Sequence, residues 1–266
     1  MNSVQPKQID LEKEAPAPEL SLFLPVLDEE ENLRPMHAKI QEALKSLGKT
    51  AEVIYVDDGS TDKSLQILRE IAAEDEHVRV ISLRRNYGQT AAMSAGIDAA
   101  KGEILIPMDA DLQNDPRDLP LLLEGMRKFD CVCGSRVAAR AQGDNFIRIL
   151  SSRIANWVRN SISGDNISDS GCCFRVFKRE CVADLKFFKG MHRFMPTLIK
   201  MEGFTVTEVP IRQNHRRSGQ SHYNIGNRMF SSFYDLLAVS WMKKRMFRYK
   251  IAEKVEPKSL ELTAKR

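Results

Sequence analysis

Residues 51–64 read AEVIYVDDGSTDKS. A short run, apolar on both faces and rich in β-branched and aromatic side chains, stops on two adjacent carboxylates, Asp57 and Asp58. Gly59 and a Ser/Thr/Asp segment that can start a helix follow. A strand without apolar/polar alternation belongs to a sheet covered on both faces. The same order recurs on either side. LSLFLPV (20–26) precedes an amphipathic stretch with apolar positions at Leu33, Met36, Ile40, Leu44 and Leu47, which Gly48 stops. Thr61 is expected to cap a helix running to about Glu74. VRVISL (78–83), EILIPM (103–108) and FDCVCG (129–134) read as further strands, with TAAMSAGIDAA (90–100) helical between the first two. Beyond 135 the expectation is a helix near 146–162, a loop and strand around 166–177 and a strand FTVTEVPI (204–211). Strand–helix alternation predicts an α/β fold: a Rossmann-like, mostly parallel sheet with helices on both faces. In such sheets ligands sit beyond the carboxyl ends of the strands, so residues just after 26, 56, 108 and 134 are where chemistry is expected.

The chain has 266 residues, 42% hydrophobic and 29% charged, and 40 basic against 36 acidic side chains leave a net +4. This composition excludes a disordered or collagen-like chain, and no apolar run is long enough to span a bilayer. The Pro-rich, apolar-poor residues 1–19 read as a disordered tail, with neither the apolar core nor the cleavage site of a signal peptide. Residues 20–225 are expected to form one catalytic domain and 226–266 a basic amphipathic helix and tail. The five cysteines are an odd number without a CxxC pair, which suits a reducing cytoplasm. Cys131 and Cys133, two apart, read as small hydrophobes on one face of a buried strand.

The strand ends carry the chemistry. A turn with a helix cap explains Gly59, Thr61 and Asp62, but two side-by-side carboxylates repel unless hydrogen-bond donors or a cation separate them. MDADLQNDP (108–116) places Asp109 and Asp111 on either side of Ala110, so both can approach one hard divalent cation, and Gln113 can add a neutral oxygen. Arginines follow: Arg136 after the fifth strand, Arg148 and Arg153 on or beside the next helix, and Arg216 and Arg217 within HRRSGQSHYN (215–224). A guanidinium is well shaped for phosphate. An acidic edge meeting a basic one suits a nucleoside diphosphate with Mg²⁺ or Mn²⁺. Nucleic acid is a poor fit, since the basic residues lack an extended patch interleaved with aromatics.

An ordered series of segments carries a resemblance: LPVLDEEENL (24–33), VDDGSTDKS (56–64), NYGQTAAMSAGIDAAKGE (86–103), MDADLQNDP (108–116), GSR (134–136), RILSSRIAN (148–156), SDSGCCFRVF (168–177) and RRSGQSHYN (216–224). Across residues 20–225 the chain resembles family 2 glycosyltransferases of the GT-A fold. More narrowly, it resembles the branch of dolichol-phosphate mannose synthases and polyprenyl-phosphate sugar transferases. The resemblance implies that Pro25, Glu29 and Asp57 line the nucleotide base pocket. It implies that Asp109 and Asp111 bind Mg²⁺ or Mn²⁺ with help from Gln113, and that Ala110 lies along the substrate. Arg136, Arg148 and Ser152 would hold the acceptor phosphate. Arg216 would approach the donor diphosphate, Arg217 and Ser221 would bind substrate, and Asp169 would stand near the sugar as base or positioning group. Two departures are visible: Leu27-Asp28 replaces Tyr-Asn, removing an aromatic stacking surface, and Ser221-His222 replaces Ser-Lys, removing a fixed positive charge.

The implied reaction is inverting transfer of a sugar from a UDP- or GDP-sugar to a polyprenyl phosphate. The runner-up acceptor is a soluble or glycan hydroxyl, and a non-catalytic nucleotide-sugar-binding protein is the reading from another class. Residues 211–250 hold nine Lys/Arg and one acid, Asp235. With Met229, Phe230, Phe233, Leu236, Leu237, Val239 and Trp241 they predict a helix lying on an anionic membrane surface at the cytoplasmic face. A separate membrane subunit is a partner compatible with that placement.

Overall fold

A computed structural model of the chain describes residues 16–140, 160–161, 166–214, 225–247 and 252–253. Seven strands, β1 (Leu20–Val26), β2 (Ala51–Asp57), β3 (Val78–Ser82), β4 (Ile104–Pro107), β5 (Cys131–Ser135), β6 (Arg175–Lys178) and β7 (Val206–Pro210), form one sheet in the order β3-β2-β1-β4-β6-β5-β7. β1 pairs in parallel with β2 and β4, β2 with β3, and β5 with β7. Only β6 runs against its neighbours, antiparallel to both β4 and β5.

Side chains alternate across each strand, so an all-apolar strand feeds two cores at once. Leu20, Leu22, Leu24 and Val26 of β1 pack with Val53 and Tyr55 against helices α1 (Leu33–Leu47) and α2 (Ser64–Glu74), through Met36, Ile40, Leu68 and Ile71. Phe23, Ile54 and Val56 point the other way, onto α3 (Gln89–Ala99) through Ala92, Met93 and Ile97. Past α4 (Leu119–Gly125) and the short α5 (Val137–Arg140), this second core also takes in α6 (Met195–Met201) and two residues of α7 (Ile225–Arg245), Leu236 and Val239. Helices therefore cover both faces, as the strand pattern predicts. All five cysteines are buried and free, Cys131 and Cys133 with their sulfurs 3.9 Å apart inside the second core.

Two expectations need correction. Thr61 does not cap α2, which starts at Ser64. Asp62 Oδ1 accepts from the Ser64 N–H, while the Thr61 N–H is drawn 2.6 Å from Asp28 Oδ1 on the neighbouring loop. The tertiary partner outcompetes the local cap. The apolar residues of α7 also fail to form one outward stripe. Leu236 and Val239 are buried against the body, whereas Phe233, Tyr234, Leu237 and Trp241 lie exposed. One turn of the helix is seated by Asp235, packed so closely on Gly190 (φ +91°) that a β-carbon there would come within 2.5 Å of the carboxylate. Among the described residues no helix is long and apolar enough to cross a membrane. The helix expected over 146–162 lies mostly outside the described residues.

Candidate active site

The parallel strands end at a common edge, and the loops after β1, β2, β4 and β5 carry predicted site residues. The loops after β1 and β2 are stitched together. Asp28, with φ +52°, turns back so that its Oδ1 accepts from the backbone of Thr61 and Asp62, and its own N–H donates to Ser60 Oγ at 3.0 Å. The left-handed conformation is one that Asn and Asp tolerate well, so the backbone role of this position survives the replacement of Asn by Asp. The Glu29 N–H donates to Ser64 Oγ, and its carboxylate accepts from Asn32. Pro25 stands in register with Val56, one step before Val26 meets Asp57.

The two carboxylates of VDDGS point at different donors, which resolves their repulsion. Asp57 accepts from the Ser60 N–H at 3.2 Å and from Ser82 Oγ at 3.3 Å. Asp58 takes the backbone N–H groups of Tyr87 and Gly88, one on each oxygen, both at 2.8 Å. Gly59 (φ +75°) lies under this second loop, where a β-carbon would come within 2.5 Å of the Arg85 carbonyl carbon. No L-side chain fits there.

After β4, Asp109 and Asp111 flank the buried Ala110, and Leu112 adopts φ +62° to turn the chain. Asp109 Oδ1 accepts from Gln89 Nε2 at 2.9 Å, and Asp111 Oδ1 from the Gln113 N–H at 3.1 Å. Burial and the charge of Asp111 push the Asp109 carboxyl up to about 6, against the pull of Arg136, a Cys173 thiol contact and Arg175. The carbonyl of Gln113 accepts from the Asn214 N–H at 3.0 Å, so the segment that continues into 215–224 is rooted on the acidic loop. Among the described residues no third His, Cys, Asp or Glu converges to complete a protein-only cage. Two hard carboxylates, one of them pushed up partly by the charge of the other, fit a hard divalent cation that keeps positions for water and phosphate oxygens.

Arg136 follows β5 and meets Asp169. Its Nε is 2.8 Å from Oδ2 and its Nη2 3.2 Å from Oδ1, and its backbone N–H also donates to Oδ2. Both side chains are almost wholly buried. Burial opposes the guanidinium charge, but Asp169 and the neighbouring anions hold it firmly protonated. Antiparallel β6 explains how Asp169 reaches this edge: a reversed strand begins where its parallel neighbours end. Glu208 of β7 completes the seat by accepting from the N–H groups of Ser168 and Asp169 at 2.7 and 3.0 Å. Arg148, Ser152, Arg153, Arg216, Arg217 and Ser221 lie outside the described residues. Asp58, Gln89 and Glu208 were given no role by the sequence. Asp58 was visible only as half of the adjacent carboxylate pair, and Glu208 only as the single charged residue of FTVTEVPI.

The sequence profile of glycosyl transferase family 2 matches residues 21–186. The chain belongs to that family. It is 35% identical over 231 residues to a dodecaprenyl-phosphate galacturonate synthase of Rhizobium johnstonii, covering 85% of this chain and 68% of the relative. It is 34% identical to an undecaprenyl-phosphate 4-deoxy-4-formamido-L-arabinose transferase of Pectobacterium carotovorum, covering 82% of this chain and 66% of that one. This family member thus spans about two thirds of the length of these relatives. Among solved structures, its GT-A fold is similar to a Pyrobaculum calidifontis mannosyltransferase in complex with GDP-Man and Mn²⁺ (TM-score 0.59, 18% identity, 88% of this chain and 66% of that one). A glucosyl-3-phosphoglycerate synthase of Mycobacterium tuberculosis, bound to Mn²⁺, UDP-Glc and phosphoglyceric acid, gives TM-score 0.60 at 18% identity over 87% of this chain and 81% of that one.

Proposed function

We propose that this chain transfers a sugar, with inversion, from a UDP- or GDP-sugar to a polyprenyl phosphate at the cytoplasmic face of a membrane. The observation that carries the reading is the convergence of Asp109 and Asp111 at the end of β4 with the root of the 215–224 segment, through the Gln113–Asn214 hydrogen bond. Asn214 stands two residues before Arg216 in the chain, which supports a role for that arginine at whatever the acidic pair holds. Pro25, Glu29 and Asp57 take the nucleotide base, as the stitched β1 and β2 loops allow. Asp109 and Asp111, with the Gln113 side chain, would hold Mg²⁺ or Mn²⁺. When bound, the cation would supply positive charge against the departing diphosphate, and Arg216 would bind the same group, with Arg217 and Ser221 as further substrate-binding residues.

The acceptor decides whether a base is needed. A phosphate monoester with a second pKa near 6 is largely dianionic at pH 7 and attacks without losing a proton, whereas a hydroxyl needs a base. Asp169, with both oxygens engaged by the Nε–Nη2 edge of Arg136, then positions Arg136 toward the acceptor phosphate beside Arg148 and Ser152, rather than taking a proton. The exposed Phe233, Tyr234, Leu237 and Trp241 of α7, next to Lys243, Lys244 and Arg245, would rest on an anionic lipid surface, with a separate membrane subunit as a further partner.

Incubating the purified protein with UDP- and GDP-sugars, Mg²⁺ or Mn²⁺, and either polyprenyl phosphate or free saccharides tests the assignment, with products identified by mass. Glycosyl phospholipid is the expected product. Transfer to saccharide alone would shift the assignment to the hydroxyl acceptor.

A further inference from the structure

Asp58 and Gln89 bracket the turn that leads into α3. Asp58 stands at the end of β2, on the nucleotide side. Asp109 stands at the end of β4, and β1 lies between the two strands. Asp58 grips two consecutive backbone N–H groups, Tyr87 and Gly88, with its two oxygens. Gly88 (φ +98°) is the residue immediately before α3, so this grip sets where the helix begins. Its first residue, Gln89, sends Nε2 to Asp109 Oδ1 at 2.9 Å. The next residue, Thr90, is held from behind: its hydroxyl accepts from the Gly190 N–H at 3.0 Å and meets His192 Nδ1 at 2.8 Å. Gln89 therefore rises from a turn anchored on both sides, and the side of Gly59 against Arg85 leaves that turn no slack.

A carboxylate that ligates a cation performs best when a neighbouring donor fixes its orientation. We propose that Asp58 and Gln89 are positioning residues that act in series: Asp58 locks the 87–88 turn, and Gln89 orients the Asp109 carboxylate for the divalent cation. The inference rests on the proposed metal role of Asp109. It gives the second carboxylate of VDDGS a purpose, linking the loop that holds the nucleotide to the loop that holds its diphosphate.

Binding of Mn²⁺ in the presence of UDP or GDP, followed by the electron paramagnetic resonance signal of the free ion, tests this without turnover. Gln89→Ala should weaken Mn²⁺ binding about tenfold, with the melting temperature of the ion-free protein little changed. Asp58→Asn should resemble Gln89→Ala, and the double variant should bind no worse than the weaker single, because residues in series do not add. Unchanged Mn²⁺ binding in folded Gln89→Ala, or additive losses in the double variant, would overturn the series. Asp109→Ala is the control that separates the two claims. If it also leaves Mn²⁺ binding intact, the metal role itself fails. If it abolishes binding while Gln89→Ala does not, only the positioning role fails.

Discussion

Asp109 is more costly to this protein than its neighbours. Its carboxyl is pushed up to about 6, so at pH 7 the ionised form is held against burial and against Asp111. A carboxylate whose pKa is raised by folding costs stability in full above the raised value, and the cost shrinks as the pH falls through it and is gone below the unfolded value of about 4. Asp109→Asn keeps an acceptor for Gln89 and removes the charge. It should stabilise the ion-free protein by on the order of 1–2 kcal/mol while abolishing sugar transfer. Thermal melts without divalent cation, set beside turnover, check both halves, and a lower melting temperature would contradict the electrostatic account. Asp109 and Asp111 were legible in the sequence as a pair, because their spacing around Ala110 after an apolar strand carries a chemical meaning. The donor that orients Asp109 was not, since Gln89 is twenty residues away and only the crossing of α3 over the sheet brings it close.

At the scale of elements, α7 divides its apolar residues between two jobs. Val239 is fully buried and Leu236 nearly so, while Phe233 is 51% and Trp241 63% exposed. Truncating the two faces should therefore do different things. Leu236→Ala should lower stability by about 2 kcal/mol through the cavity it leaves, measured by urea unfolding. A Phe233→Ser/Trp241→Ser pair should leave stability nearly unchanged and reduce sedimentation with anionic vesicles severalfold, an effect that high salt alone cannot reproduce. Equal vesicle binding in the pair and the parent would remove the membrane role of this face. The helix itself was legible from its period, and its division was not. A hydropathy pattern records which residues avoid water but not which of two neighbours, the protein body or a lipid surface, does the covering.

For the whole molecule, acid should loosen the far end of the sheet. Asp130 sits just before β5, and its carboxyl is held down to about 2 by Lys178 and by the N–H and hydroxyl of Thr205. It ties β5 to β6 and to the lead-in of β7. Asp115, beneath the acidic loop, is likewise held to about 2 by Arg117. A depressed carboxyl adds stability that is complete above about pH 4 and is lost as the pH falls toward 2, here on the order of 1 kcal/mol per group after solvent screening. Urea midpoints should fall between pH 4 and pH 2, and Asp130→Asn should flatten part of that slope. The sequence by itself determined the strand ends, the covering of the sheet on both faces and the identity of the acidic pair, because burial period and adjacent chemistry are local properties of the chain. Only the tertiary structure decided that β6 runs backwards to deliver Asp169 to Arg136, that Thr61 serves Asp28 instead of α2, and that Asp58 reaches Asp109 through Gln89. Each of those depends on which of several competing donors lies within hydrogen-bonding distance, and that is set by the packing of distant segments rather than by their order.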